Sequence, residues 1–169
     1  MDKTRHEPLT FDDVQVGDCW ESPARTVTES DVVGFAGLTG DYNPLHVDHV
    51  YAKATPFGRP IAHGMLGLSY SAGLGSYFPW MRTAAFTRIL EWKFLSPIHI
   101  GDTIHVRTEI LSKERKGRGR RGLITWRRQL INQKGEVTQE GITETLVECS
   151  RGPVHETANA SGLRPESSP

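Results

Sequence analysis

The sequence predicts an α+β fold in which a curved antiparallel sheet wraps around one long central helix. Residues 62–78, AHGMLGLSYSAGLGSYF, are apolar on nearly every side yet carry Gly64, Gly67, Gly73 and Gly75. Each glycine costs a helix about 1 kcal/mol relative to alanine, so this segment needs surroundings that reward small residues. A sheet lying close against the helix supplies them, because missing side chains let backbones approach. The second observation is a change of period: after PWMRTAAF, apolar residues recur at every other position, the pattern of strands. Third, the strands so marked follow one another with only turns between them, which favours an antiparallel sheet curled around the helix.

The first twenty residues read as an arm leading into a strand marked by Val14, Val16 and Trp20. Polar ESPARTVTES then leads to a helix. Thr28 suits its N-cap, with Asp31 three residues on as a relative of the capping box. Val32, Val33, Phe35, Ala36 and Leu38 supply an apolar face, and Gly40 suits the stop. The loop GDYNPLH follows, and Asp48 can cap a short helix reaching about Ala54, ended by TPFGRP. Beyond the glycine-rich helix, Leu90, Trp92 and Phe94 alternate with Glu91 and Lys93, and Ile104, Val106 and Ile110 with His105, Arg107 and Glu109. SPIHIGD links these two strands, with Pro97 and Gly101 marking the break. Ile124, Trp126 and Leu130 alternate with Thr125, Arg127 and Gln129, and NQKGE reads as a hairpin turn into a last strand over 137–148. The end of the chain, ETANASGLRPESSP, is small and polar, so residues 1–150 read as one domain and 151–169 as a flexible tail.

With 37% hydrophobic and 24% charged residues in a 169-residue chain, the composition is that of a soluble single domain. No apolar run approaches the roughly 20 residues of a membrane span. MDKTRHEPLTFDD lacks the apolar core of a secretory signal and only Cys19 and Cys149 are present, so the expected compartment is the reducing cytoplasm. A formal net charge of zero gives no global case for nucleic acid or an acidic membrane surface.

The densest chemistry lies in GDYNPLH. Asp41 and His46 sit on a segment stiffened by Pro44, and their side chains can converge within reach of one water. A carboxylate and an imidazole so placed can divide proton transfer between them. Asp and Asn are also favoured turn formers and caps, so the loop alone leaves a structural reading open. Gly64 stands at the start of the glycine-rich helix, where backbone N–H groups lack intrahelical partners and the dipole favours negative charge. That suits an oxyanion, although tight packing would explain the same glycine. Together these parts match what proton abstraction next to a carbonyl, or water addition across a conjugated one, requires.

FAGLTGDYNPLHVDHVYAKA resembles the signature of the MaoC-like, R-specific enoyl-CoA hydratase family: an aromatic, a Leu-Thr-Gly-Asp-any-Asn-Pro-Leu-His core, and a small residue six positions after the His. Phe35, Asp41, Asn43, Pro44, His46 and Ala52 fill its positions. The likeness continues through RPIAHGMLGLSYSAGL and LEWKFLSPIHIGDTI and covers roughly residues 10–148. It implies a hot-dog fold and a homodimer or dimer of dimers, with acyl-CoA entering between subunits. By the same resemblance Asp41 and His46 are the catalytic pair, Asn43 and Pro44 support their loop, and the Gly64 N–H belongs to the oxyanion hole. His63 and Met65 are expected beside the substrate. No cofactor is implied, coenzyme A being part of the substrate.

Other features have competing readings. Asp41, His46, Asp48, His49 and His63 could ligate a metal, but no HExxH or paired-cysteine motif accompanies them, and the expectation is no metal. KERKGRGRR, residues 113–121, carries a local charge of +5; a solvated hairpin tip is favoured over phosphate attraction, and without aromatics it does not suggest nucleic acid. SYFPWM reads first as core filling at a helix end and second as a wall of the acyl pocket or dimer contact. The expected activity is that of a hydro-lyase on trans-2-enoyl-CoA, giving R-3-hydroxyacyl-CoA, or the reverse dehydration. The alternatives are a thioesterase on the same fold and a non-catalytic acyl-CoA-binding subunit.

Overall fold

The computed structural model describes residues 7–117 and 119–150; the expected tail and Arg118 of the basic run lie outside it. Its strands are β1 (Cys19–Glu21), β2 (Arg25–Thr26), β3 (Thr83–Phe94), β4 (Thr103–Lys116), β5 (Arg121–Ile131) and β6 (Val137–Glu148), and its helices α1 (Glu29–Thr39), α2 (Pro44–Val47), α3 (His49–Lys53) and α4 (Gly64–Gly75). One antiparallel sheet runs β1-β4-β5-β6-β3, with β2 also paired to β4. Helix α4 lies on the inner face of the two central strands, β4 and β5. The predicted α+β class is the observed one.

Capped turns shape the connections between the long strands. Asn132 Oδ1 accepts from the N–H groups of Lys134 and Glu136, and Gly135 takes φ +79°, closing the hairpin between β5 and β6. Between β3 and β4, Asp102 Oδ2 accepts from His99 N–H while Gly101 stands at φ +95°. This turn positions the site, because the Ile98 carbonyl accepts from Ala62 N–H just ahead of α4.

Helix α1 begins as the sequence suggests. Thr28 and Asp31 exchange backbone and side-chain hydrogen bonds in a capping box, and Gly40 closes the helix in the left-handed conformation with its N–H on Ala36 O. Its predicted apolar face is narrower than expected: Val32 and Ala36 are buried and Phe35 partly so, whereas Val33 and Leu38 face outward. A helix lying at the margin of a sheet buries one stripe, not every apolar residue it carries.

Helix α4 is shorter than the apolar run that predicts it, and the sheet covers only one side. Leu66, Gly67, Ser71 and Gly75 are buried; Gly64, Met65, Ser69, Ala72 and Gly73 are exposed. The glycines on the covered side do meet the sheet closely. A Cβ at Gly67 would fall on the Gln139 side-chain amide, and one at Gly75 on the Arg128 guanidinium. Strand β3 departs further from expectation. Leu90 and Phe94, expected to face inward, are 50% and 54% exposed. Among the described residues the strand forms an edge of the sheet, paired only with β6 and interrupted by three register shifts, so much of its apolar surface is left open.

Candidate active site

The loop between α1 and α3 holds its polar groups through local bonds. Asp41 Oδ1 accepts from Asn43 N–H, and Asn43 Oδ1 accepts from Leu45 N–H, capping α2 at Pro44. The segment expected as plain loop is thus a short helix from Pro44, and it carries His46 inward. The His46 ring Nδ1 lies 2.7 Å from the Ile61 carbonyl. A carbonyl only accepts, so Nδ1 carries the proton and a neutral ring presents Nε2 as an acceptor.

His63 completes the group. Its Nε2 donates to the Asp41 carbonyl at 2.9 Å, and its ring stacks on that of His46 with centroids 3.8 Å apart. One ligating atom from each of Asp41, His46 and His63 lies within 4.8 Å of the others. Groups up to about 5.5 Å apart can share a water through two bonds of ordinary length. Because His63 immediately precedes Gly64, the first N–H groups of α4 stand beside this cluster by covalent connection. At 2% exposure His63 offers a substrate almost no surface and braces the Asp41 backbone instead, whereas Met65, 56% exposed, is open to one.

The residues around Gly64 fix its approach. Its carbonyl accepts from Gln139 Nε2, and the Gln139 side-chain oxygen in turn accepts from Trp92 Nε1. The Phe94 ring packs so near that a Cβ at position 64 would lie 2.9 Å from it. Of the five residues weighed as a metal cluster, two point elsewhere: Asp48 caps α3, and His49 pairs with Glu29. The three that remain could in principle hold an ion.

SYFPWM is mostly not core. Tyr77 and Trp80 are exposed and Met81 alone joins the core cluster; all three border a cavity of about 410 Å³ at the C-terminal end of α4. Another wall of that cavity is Arg128, which no sequence motif singles out. A signal for it does exist: it occupies an inward position in the alternation Ile124, Trp126, Arg128, Leu130. The basic run is partly neutralised. Arg115 pairs with Asp12, Lys116 with Glu114, and Lys113 donates to the Val14 carbonyl while covering the Phe11 ring.

One helix laid on an antiparallel sheet defines a hot-dog domain, and in it a carboxylate and two imidazoles gather at the helix N-terminus. The chain belongs to the MaoC-like domain family, whose model matches residues 14–128. It is 40% identical over 103 residues to the 3-hydroxybutyryl-CoA dehydratase of Methylorubrum extorquens and 43% identical over 95 residues to the (R)-specific enoyl-CoA hydratase of Rhodospirillum rubrum. These matches take in 60% and 56% of this chain and span 64% of the length of each relative. Among solved structures, the unliganded R-hydratase PhaJ1 of Pseudomonas aeruginosa aligns with 96% of this chain and 97% of its own at a TM-score of 0.68 and 25% identity. A Mycobacterium tuberculosis protein described as a double hot-dog fold matches 85% of this chain and 45% of its own at a TM-score of 0.75 and 21% identity, a likeness of fold alone.

Proposed function

We propose that this chain adds water to trans-2-enoyl-CoA thioesters to give R-3-hydroxyacyl-CoA, or catalyses the reverse dehydration. The observation that carries the proposal is the meeting of the Asp41 carboxylate and the His46 imidazole beside the first N–H groups of α4. A water between them donates one hydrogen to Asp41 and the other to His46 Nε2. Its oxygen attacks the β-carbon as a proton passes to the pair, and electrons move through the conjugated system to the thioester oxygen. Gly64 N–H meets the charge that develops there, an interaction that matters most in the transition state. Return of a proton to Cα completes the addition, so the elements of one water are consumed. Thioester conjugation supplies the electrophile and no cofactor enters the scheme. Asn43 and Pro44 support the loop through their capping of α2, and Met65 flanks the substrate.

The exposed edge strand β3 supports assembly as a homodimer. Among the described residues only β6 pairs with its backbone, and Phe86, Ile89, Leu90 and Phe94 leave apolar surface exposed. Two free cysteines are consistent with a cytoplasmic location, and among the described residues no helix is long and apolar enough to cross a membrane.

Incubation of the purified chain with enoyl-CoA thioesters tests the activity directly. Loss of the conjugated thioester absorbance without release of thiol is the expected result. Release of free CoA thiol with no hydration would replace the proposal by a thioesterase, and no reaction with any enoyl-CoA by a binding subunit.

A further inference from the structure

The inner face of the sheet is apolar at both ends and polar in the middle. One core cluster includes Ile110, Ile124 and Trp126, the other Ile104, Val106 and Leu130. Between them stand Thr108 on β4 and Arg128 on β5, direct register partners, packed against Ser71 and Gly75 of α4. Arg128 is only 7% exposed. Its Nη1 donates to the Ser71 carbonyl at 3.3 Å, while its Nε and the hydroxyls of Ser71 and Thr108 are buried without a partner. The ion pairs of the described residues that involve an arginine use Arg25, Arg82, Arg88, Arg115 and Arg127, so Arg128 has no carboxylate among them. Burial lowers its pKa to about 10, which leaves it charged at neutral pH. A buried cation without a counter-charge is costly and calls for an anion.

The guanidinium borders the 410 Å³ cavity at the end of α4, whose other walls include Ala72, Tyr77, Trp80, Met81 and Phe86. The cavity and the candidate active site lie at the two ends of one exposed side of α4. The open side of α4 passes through Met65, Ser69 and Ala72 to Ser76 at the cavity. Strand β3 runs alongside in the opposite sense, with Phe94 against Gly64 and Phe86 at the cavity. At 1.5 Å per residue, Ser71 is about 10 Å from Gly64 along the helix axis, the scale of an acyl chain and not of a second molecule.

Resting on the hydratase reading above, we infer that Arg128 binds a carboxylate at the far end of the acyl chain, so that the substrates are enoyl-CoA thioesters of dicarboxylic acids. Apolar walls take the methylene groups, and the planar fork of the guanidinium takes the two carboxylate oxygens. Arg128 is a specificity residue, remote from the reacting carbons.

The test compares binding of unreactive saturated thioesters to the full chain: adipoyl-CoA and suberoyl-CoA against hexanoyl-CoA and octanoyl-CoA, pairs that differ only in the end group. The wild-type protein is expected to bind a carboxylate-ended member of one pair about tenfold more tightly than its methyl-ended twin, and Arg128→Met to bring that ratio near one. A wild-type ratio near one for both pairs overturns the inference. So does an Arg128→Met protein that keeps the wild-type ratio, the result if Arg128 serves only to hold the end of α4. Because binding is read without turnover, its outcome is independent of the hydratase reading, which hydration of hexenoyl-CoA tests separately. The wild-type comparison decides the matter even if Arg128→Met does not fold.

Discussion

Asp41 is held through its backbone as well as its carboxylate, its N–H donating to Thr39 Oγ1 and its carbonyl accepting from His63 Nε2. Asn43 N–H fixes Asp41, and the Ile61 carbonyl fixes the tautomer of His46. Asp41→Asn and His46→Gln are therefore expected to reduce kcat by about 10²- to 10⁴-fold, the range for loss of a general acid or base. Both lie at a partly open surface, so urea unfolding should show a stability change of less than about 0.5 kcal/mol. Full activity in either variant would remove that residue from the mechanism. These two residues are legible in the sequence because their loop is a local signal, seven residues with their own caps. Arg128 is not: a strand pattern of Ile124, Trp126 and Leu130 draws attention to its apolar members, and the unpaired charge among them is seen only when both sheet neighbours and α4 are in place. His63 shows the converse. Its place beside the helix start is readable from AHGM, while its burial and its bond to the Asp41 carbonyl require the fold.

Among the elements, α4 and β3 account for most of the difference between expectation and structure. The glycines on the covered side of α4 do mark close approach, and Gly67 is the sharpest case. Gln139 beneath it is 2% exposed and engaged with both Gly64 and Trp92, so it cannot swing aside for a methyl group. Gly67→Ala is expected to destabilise the protein by about 1–3 kcal/mol, measured as a lower urea midpoint at an unchanged slope. An unchanged midpoint would show that the Gln139 amide yields freely. For β3 the expected outcome concerns assembly. Under the homodimer proposed above, Ile89→Lys places a charge on the exposed edge and should shift the protein from dimer to monomer by sedimentation velocity, with the helical circular dichroism retained; a wild-type protein that sediments as a monomer would overturn that proposal. A variant that stays dimeric would move the interface away from this edge. Periodicity identifies β3 as a strand; it does not tell an edge from a centre, because that depends on which strands return to lie beside it.

The whole molecule carries no net charge, and its concentrated basic segment sits far from the candidate site. Arg121 pairs in register with Glu148 at the end of β6, whereas Gln139, near its start, binds Gly64. Nine residues of strand separate the two, about 30 Å at the usual rise. Replacing Arg120 and Arg121 by Gln is expected to leave both KM for an enoyl-CoA and its salt dependence unchanged; a flattened salt dependence would place the CoA phosphates at this tip. At this scale the solvated-hairpin reading gains support from the ion pairs that Arg115 and Lys116 already make. By itself the sequence determined the α+β class, the capped loop with Asp41 and His46, and the helix that places Gly64, because caps, turns and periodicity act over a few neighbouring residues. Tertiary structure alone decided that α4 is covered on one side, that β3 is an edge, and that Arg128 stands buried at the far end of α4 from Gly64 with no carboxylate partner among the described residues. Burial and pairing are relations between segments distant in sequence, and no local pattern carries them.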